Sequence, residues 1–232
     1  MAGVAETTDR AGPETTGLPR WTTPGEPRLP SGSVPDLSAP VPAVARALLG
    51  TRIESTVDDR RVVGVIVEAE AYLGADDPAS HAAVRAGVTP RNRAMFGPAG
   101  RAYIYRSYGA HWCLNVVAGV EGEGGAVLIR GLEIREGIEV ARARRGRRDH
   151  PADGPGRLAA ALGVTDAPYG HDLARPPLRL LPGWRVAPEG VIVTPRIGIR
   201  KAADRLLRYC VCSSPGVSRR PPSTPPPRPD PR

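Results

Sequence analysis

Two glutamates spaced i and i+2 at the end of an apolar run, followed by a tyrosine and then a histidine, are the parts of an acid–base site. In this chain they stand at Glu68, Glu70, Tyr72 and His81, directly behind Val62-Val63-Gly64-Val65-Ile66-Val67. A run of this composition predicts a strand, and side chains along a strand alternate between faces, so Glu68, Glu70 and Tyr72 share one side. Carboxylates that end an apolar strand cost desolvation energy unless they are paired, hydrated or used. A carboxylate, a phenol and an imidazole near one strand end can move protons. The plain alternative is a solvated strand end that runs into a surface loop.

A second segment, residues 101–118, adds a different kind of chemistry. Tyr103 and Tyr105 alternate as in a strand, Ser107-Tyr108-Gly109 reads as a turn, and Trp112 to Val117 reads as a return strand. Aromatic residues make up only 4% of the chain, yet three of its six tyrosines fall in this hairpin. Hairpin tyrosines ordinarily pack on the core. Tyr108, beside Gly109 at the tip, is out of reach of that core, and a large aromatic there can wedge into a base stack.

The elements that must position these residues follow from the same reading. Ser38 is placed to cap a short helix over Ala43–Leu49 that Gly50 closes. Strands are predicted near 51–56 and 61–70, a loop with short helical turns across 74–96, then the tyrosine hairpin and a strand at 126–134. Residues 136–148 read as a helix ending in Arg142, Arg144, Arg145, Arg147 and Arg148. Such a run is usually a solvated face, with phosphate contact as the second reading. Asp153-Gly154-Pro155-Gly156 leads into a helix over Arg157–Leu162 that Gly163 ends; a glycine-rich helix start offers free amides to a phosphate. Further strand-like pieces lie in 178–200. Strands with interspersed short helices predict an α+β fold: a single domain with a mostly antiparallel sheet and short surrounding helices.

Composition narrows the partners. The 232 residues suffice for one domain with a real core, and the formal net charge is +8. Residues 1–37 carry three Arg against five acids and residues 214–232 four Arg against one Asp, so the middle holds +7 of that charge. A basic folded domain suits a polyanion, most often nucleic acid. Biased arginine usage contributes too, since Lys201 is the only lysine. Cys113, Cys210 and Cys212 form no C-x-x-C pair, and the histidines at 81, 111, 150 and 171 lack metal-ligand spacing. No metal, no disulfide framework and a reducing cytoplasm are expected. No apolar run approaches a membrane span or a signal core. Residues 1–37 (Pro, Gly, Thr, Ser) and 214–232 (Pro, Arg) read as disordered tails around a domain over 38–213.

Several words of the chain, taken in order, resemble the 3-methyladenine (alkyladenine) DNA glycosylase family. They are Glu68-Ala69-Glu70-Ala71-Tyr72-Leu73-Gly74 with His81 downstream, Thr89-Pro90-Arg91-Asn92-Arg93, Ala94-Met95-Phe96, Tyr103 through Gly109, and Cys113-Leu114-Asn115-Val116. Val127-Leu128-Ile129-Arg130, Gly154-Pro155-Gly156-Arg157-Leu158 and Pro195-Arg196-Ile197-Gly198-Ile199 follow, so the likeness runs from about residue 38 to 213. Leu206–Tyr209 and Ser214–Ser218 lack the tryptophans expected there, which bears on local packing.

The resemblance implies a single curved-sheet domain with a protruding hairpin. It implies a monofunctional, cofactor-free base-excision repair enzyme that binds double-stranded DNA containing damaged purines, as a cytoplasmic monomer. Glu70, the second glutamate, is the implied general base, and Arg130 orients the water that it activates. The backbone carbonyl of Ile197 completes the water site. Tyr72, His81 and Tyr105 are the flat partners of a flipped purine, Asn115 crowds the 2-amino group of guanine, and Tyr108 fills the vacated stack. Arg91, Arg93 and the chain at Gly154 and Gly156 are expected on the DNA backbone. Glu68 reads as the structural partner of an arginine. Two other classes stay open: a non-catalytic nucleic-acid-binding module on the same scaffold, and a sugar hydrolase that pairs Glu68 with Glu70.

Overall fold

The computed structural model describes residues 32–83, 87–146, 149–212 and 214–219. Residues 62–72 form the organising strand. Their apolar, β-branched run becomes the 11-residue strand β2 (Val62–Tyr72), buried along all but its last residue. β2 is central because three strands pair with it. β5 (Ala126–Glu136) lies along one edge for the full length, while the other edge is shared. β1 (Arg52–Ser55) takes Val62–Val65, and β8 (Arg208–Val211) takes Glu68–Glu70.

The hairpin of β3 (Ala102–Ser107) and β4 (His111–Val117) extends the sheet beyond β5. β6 (Leu178–Leu181) adds to β1, and β7 (Val191–Thr194) adds to β8. The resulting eight-stranded sheet is antiparallel at every described pairing. It curls as a half-barrel, so the structure is the α+β single domain that the sequence predicts. Register between β2 and β5 shifts on both sides of Glu68; such bulges re-aim side chains next to sites.

Among the described residues, three α-helices cover the apolar side. α1 (Val41–Ala47) and α3 (Pro155–Leu162) pack Val44, Ala45, Leu158, Ala159 and Leu162 into one core with Val65, Val67, Leu114 and Ile129. α2 (Ile138–Arg145) packs against α3 and carries Arg142, Arg144 and Arg145 in its last turn. Arg144 turns inward, donating to the Val57 carbonyl at 2.6 Å. Arg147 and Arg148 lie outside the described residues. A smaller apolar group, Ala82, Met95, Tyr103, Val117 and Ala126, sits between the hairpin and the 73–97 loop.

Some expectations need correction. Ser38 does not cap α1: its hydroxyl donates to Asp36 at 2.7 Å, and the N-cap is Pro40 without a side-chain bond. Gly32–Leu37, read as tail, is partly packed, with Val34 and Leu37 against the core and the Leu37 carbonyl accepting from Gly119 at 2.9 Å. At the other end the folded chain passes the expected boundary of 213. Ser214 and Val217 are buried, and Gly216 lies so close to β5 that a Cβ on Gly131 would sit 2.3 Å from its carbonyl oxygen. The remainder of both expected tails, 1–31 and 220–232, lies outside the described residues. β8 goes unanticipated in the sequence, although its central position seals the second half of β2.

Candidate active site

Glu68 and Glu70 both project from the sealed half of β2, and both are fully buried. Two buried carboxylates need compensating charge, and the neighbouring strands supply it. Arg130, from β5, places Nε 3.1 Å from Glu68 Oε1 and 3.4 Å from Glu70 Oε1. Arg208, from β8, donates from Nε to Glu68 Oε1 at 2.7 Å. The four side chains balance to zero net charge.

The two glutamates then diverge. Glu68 is saturated, since it also accepts from the Ser218 amide at 2.6 Å and the Ser218 hydroxyl at 2.9 Å. Its place as the partner of arginines is direct. Glu70 is less tightly engaged. Oε1 accepts from the Ile197 amide at 2.7 Å, and Oε2 faces the Tyr72 hydroxyl at 3.0 Å and Arg130 Nη1 at 3.5 Å. Burial pushes the Glu70 carboxyl above its usual range; Arg130, the Ile197 amide and Tyr72 pull it back without cancelling the rise, and Glu68 adds to it. A carboxylate tuned upward beside a cavity has the character of a general base.

That cavity has a volume of about 580 Å³; Glu70 does not line it, but the three residues that hold Glu70, namely Tyr72, Arg130 and Ile197, do. Its walls bring together His81, Arg91, Tyr103, Tyr105, Tyr108, Cys113 and Asn115. The size and the aromatic lining suit one flat, drug-sized group. His81 is held by its Nδ1, 2.7 Å from the Tyr103 hydroxyl, and meets Tyr105 edge-on with centroids 4.5 Å apart. Burial, aided by the Arg91 charge, lowers the His81 pKa and so favours the neutral ring. The Tyr72 and Tyr105 phenols are pushed up by burial, and burial also raises the Cys113 thiol. Asn115 is buried on β4 and donates from Nδ2 to the Tyr103 carbonyl at 2.9 Å.

The remaining expected site residues divide. Ile197 meets Glu70 through its amide, where the carbonyl was the expected group. Arg91 lines the cavity with its guanidinium 5.5 Å from the Tyr105 centroid. Arg93 stands outside, in a neighbouring groove of about 400 Å³ with Arg106 and Trp112. Gly154 and Gly156 lie outside the cavity, at the start of α3; Pro155 between them reaches its wall. Gly156 meets a packing demand, because a Cβ there would come within 2.8 Å of His111 Cβ.

Tyr108 is 96% exposed at the hairpin tip. Its φ of 48° and the 67° of Gly109 make the mirror-image turn that suits a two-stranded hairpin, closed by Ala110 N–H to Ser107 O at 3.0 Å. Holding a tyrosine in the left-handed region costs about 1–2 kcal/mol. Exposed and strained at once, Tyr108 adds little to the packing of the hairpin that carries it.

Four functional neighbours escape sequence reasoning: Asp77, Arg196, Arg208 and Ser218. Arg196 stood within a quoted motif, and only its adjacency to Ile197 hinted at a role. The others become meaningful only when distant strands meet.

The sequence model of the family described as Methylpurine-DNA glycosylase (MPG) matches residues 36–215. A protein of Nitrosospira multiformis is 46% identical over 186 residues, which cover 79% of this chain and 92% of that protein. One from Methanoculleus marisnigri is 47% identical over 183 residues, 76% of this chain and 93% of its own length. One from Chlorobaculum tepidum is 43% identical over 190 residues, 81% and 90%. Each of the three is named "Putative 3-methyladenine DNA glycosylase".

Proposed function

This chain belongs to the methylpurine-DNA glycosylase family, a DNA glycosylase for alkylated bases, and from that premise we propose that it hydrolyses the N-glycosidic bond of an alkylated purine flipped out of duplex DNA, with Glu70 activating the water. One arrangement carries the proposal: a fully buried carboxylate of raised pKa beneath an aromatic cavity, with a strained, exposed tyrosine at the mouth.

Tyr108 enters the stack from the hairpin tip and offsets part of the cost of extruding the base. The purine occupies the cavity against Tyr72, Tyr105 and His81. Alkylation at a ring nitrogen makes the base cationic, and aromatic faces favour a cation by about 0.5–2 kcal/mol. The base then needs no protonation by the protein to leave, which agrees with a neutral His81. Asn115, fixed by its bond to Tyr103, crowds the 2-amino group of guanine.

Water is taken up beside Glu70 Oε2, the oxygen that the Tyr72 hydroxyl also faces. Glu70 removes its proton as the oxygen attacks C1′, and the carboxylate opposes the positive charge that builds on the sugar. Arg130 holds the carboxylate from below. The products are the free base and an abasic site. Deaminated and etheno purines are flat enough for the same cavity. The enzyme acts as a monomer, with Arg91, Arg93 and the start of α3 along the phosphates.

The test is incubation with duplex DNA carrying one alkylated purine, followed by alkali cleavage at the abasic site. Cleavage at that position is the expected result. Tight binding without any abasic product would replace the enzyme with a binding module.

A further inference from the structure

Arg196 has no part in the chemistry above, yet it packs on the Tyr72 ring and directly precedes Ile197, two of the groups that hold Glu70. It is buried, and its guanidinium forks onto Asp77, with Nη2 2.9 Å from Oδ1 and Nη1 on Oδ2. Nη1 also donates to the Ala71 carbonyl at 3.0 Å, between Glu70 and Tyr72 in the chain. The guanidinium carbon lies 4.6 Å from the Tyr72 centroid. Asp77 in turn accepts from the Leu73 amide at 3.3 Å and the Ala79 amide at 3.1 Å. One side chain therefore joins the end of β2, the loop at 73–79 and the segment that carries Ile197. A bidentate arginine–carboxylate pair fixes plane as well as distance, so the amide next to Arg196 has little freedom.

We propose that Arg196, clamped by Asp77, is a positioning residue that aims the Ile197 amide and the Tyr72 ring at Glu70, a role that rests on Glu70 being the general base. The amide at 2.7 Å holds Oε1, which leaves Oε2 facing the Tyr72 hydroxyl. The titratable and charged groups around Glu70 are Glu68 and Tyr72 on its own strand, Arg130 on β5, Cys113 on β4, Arg208 and Cys210 on β8, and Arg196. Of these, only Arg196 also sits beside the backbone donor.

Single-turnover excision from duplex DNA bearing one alkylated purine, followed across pH, tests the role in Arg196→Lys, Arg196→Met and Glu70→Gln. Arg196→Lys keeps the charge and loses the fork. Excision should slow about tenfold, and the acid limb of the pH profile should move to higher pH, because hydrogen bonds to the ionised carboxylate hold its pKa down. Arg196→Met should move the limb further in the same direction. Affinity for abasic-site DNA should stay within about twofold, since no DNA contact is removed. The limb's midpoint does not depend on how much enzyme is folded, so a lowered melting temperature leaves the result readable. An unmoved limb in both Arg196 variants, with Glu70→Gln inactive, overturns the positioning role alone. A Glu70→Gln enzyme of parental rate overturns the general base, and the positioning role with it.

Discussion

Replacing Glu70 with glutamine should stop catalysis while leaving the protein as stable as before, or more so. Two losses combine in the rate. Removing a general base costs about 100- to 10,000-fold. The neutral cluster of Glu68, Glu70, Arg130 and Arg208 would also be left with one net positive charge beneath a sugar that becomes positive in the transition state. At a separation of about 7 Å and an effective dielectric near 20, that repulsion is about 2 kcal/mol, or roughly thirtyfold. The expected fall is therefore roughly 3 × 10³- to 3 × 10⁵-fold. Stability runs the other way. Burial raises the Glu70 pKa in the folded state, so between the unfolded value and the folded one the native protein holds a proton that the unfolded chain has released. Stability then falls as pH rises through that window, and at neutral pH the ionised carboxylate is a net cost. Glutamine keeps an oxygen for the Ile197 amide and offers its NH2 group to the Tyr72 oxygen, while Arg130 retains Glu68. Each kcal/mol of relieved cost is worth roughly 2–4 °C in Tm for a domain of this size. The assay pairs single-turnover excision with thermal melts at pH 5 and 7.5; the gain in Tm should be larger at pH 7.5. Excision at the parental rate, or a variant that melts well below the parent at neutral pH, refutes the reasoning.

Glu68→Gln should behave oppositely in the melt: it leaves Arg130 and Arg208 under-compensated, and breaking a buried pair in this way costs about 3–5 kcal/mol, read as a lower Tm. Tyr108→Ala should weaken binding and slow excision on duplex DNA much more than on single strands, because only the duplex has a stack to plug; equal losses on both substrates remove the wedge. Asn115→Ser or Asn115→Gly should raise release of undamaged guanine relative to damaged adenine, measured by chromatography of freed bases; an unchanged ratio in a folded variant leaves Asn115 with only its structural bond to the Tyr103 carbonyl.

What could be read from the sequence had a short-range physical cause. The apolar run 62–67 gave a strand because alternation and β-branching are local, and the glutamates had to follow its faces. The hairpin was legible from its alternating tyrosines around Tyr108-Gly109. What escaped is long-range. Arg196 meets Asp77 across 119 residues of sequence, and Arg208 meets Glu68 across 140, so neither pairing leaves a periodicity. The shift in register at Glu68 depends on β5 and cannot be seen in β2 alone. β8 is only four residues long and opens with an arginine, so it does not look like a buried strand until its charge is seen paired. The boundary at 213 failed for a related reason: Pro215 and Gly216 look like linker chemistry, whereas a glycine there lets the chain lie flat on Gly131.

The cluster of Glu68, Glu70, Arg130 and Arg208, with Ser218 against it, draws on residues far apart in the chain, so it cannot be complete before residues 208–218 have been made. Chains emerge from the ribosome N-terminal end first, so β2, the hairpin and β5 can pair, and the aromatic walls can form, while residues 208–218 are still inside the exit tunnel. At that stage Glu68 and Glu70 share Arg130 alone, and neither Arg208 nor the Ser218 amide has arrived to satisfy Glu68. Two carboxylates buried with one cation are under-compensated, so the sealed site is costly to close before β8 docks. The complete cluster thus waits on the last described strand.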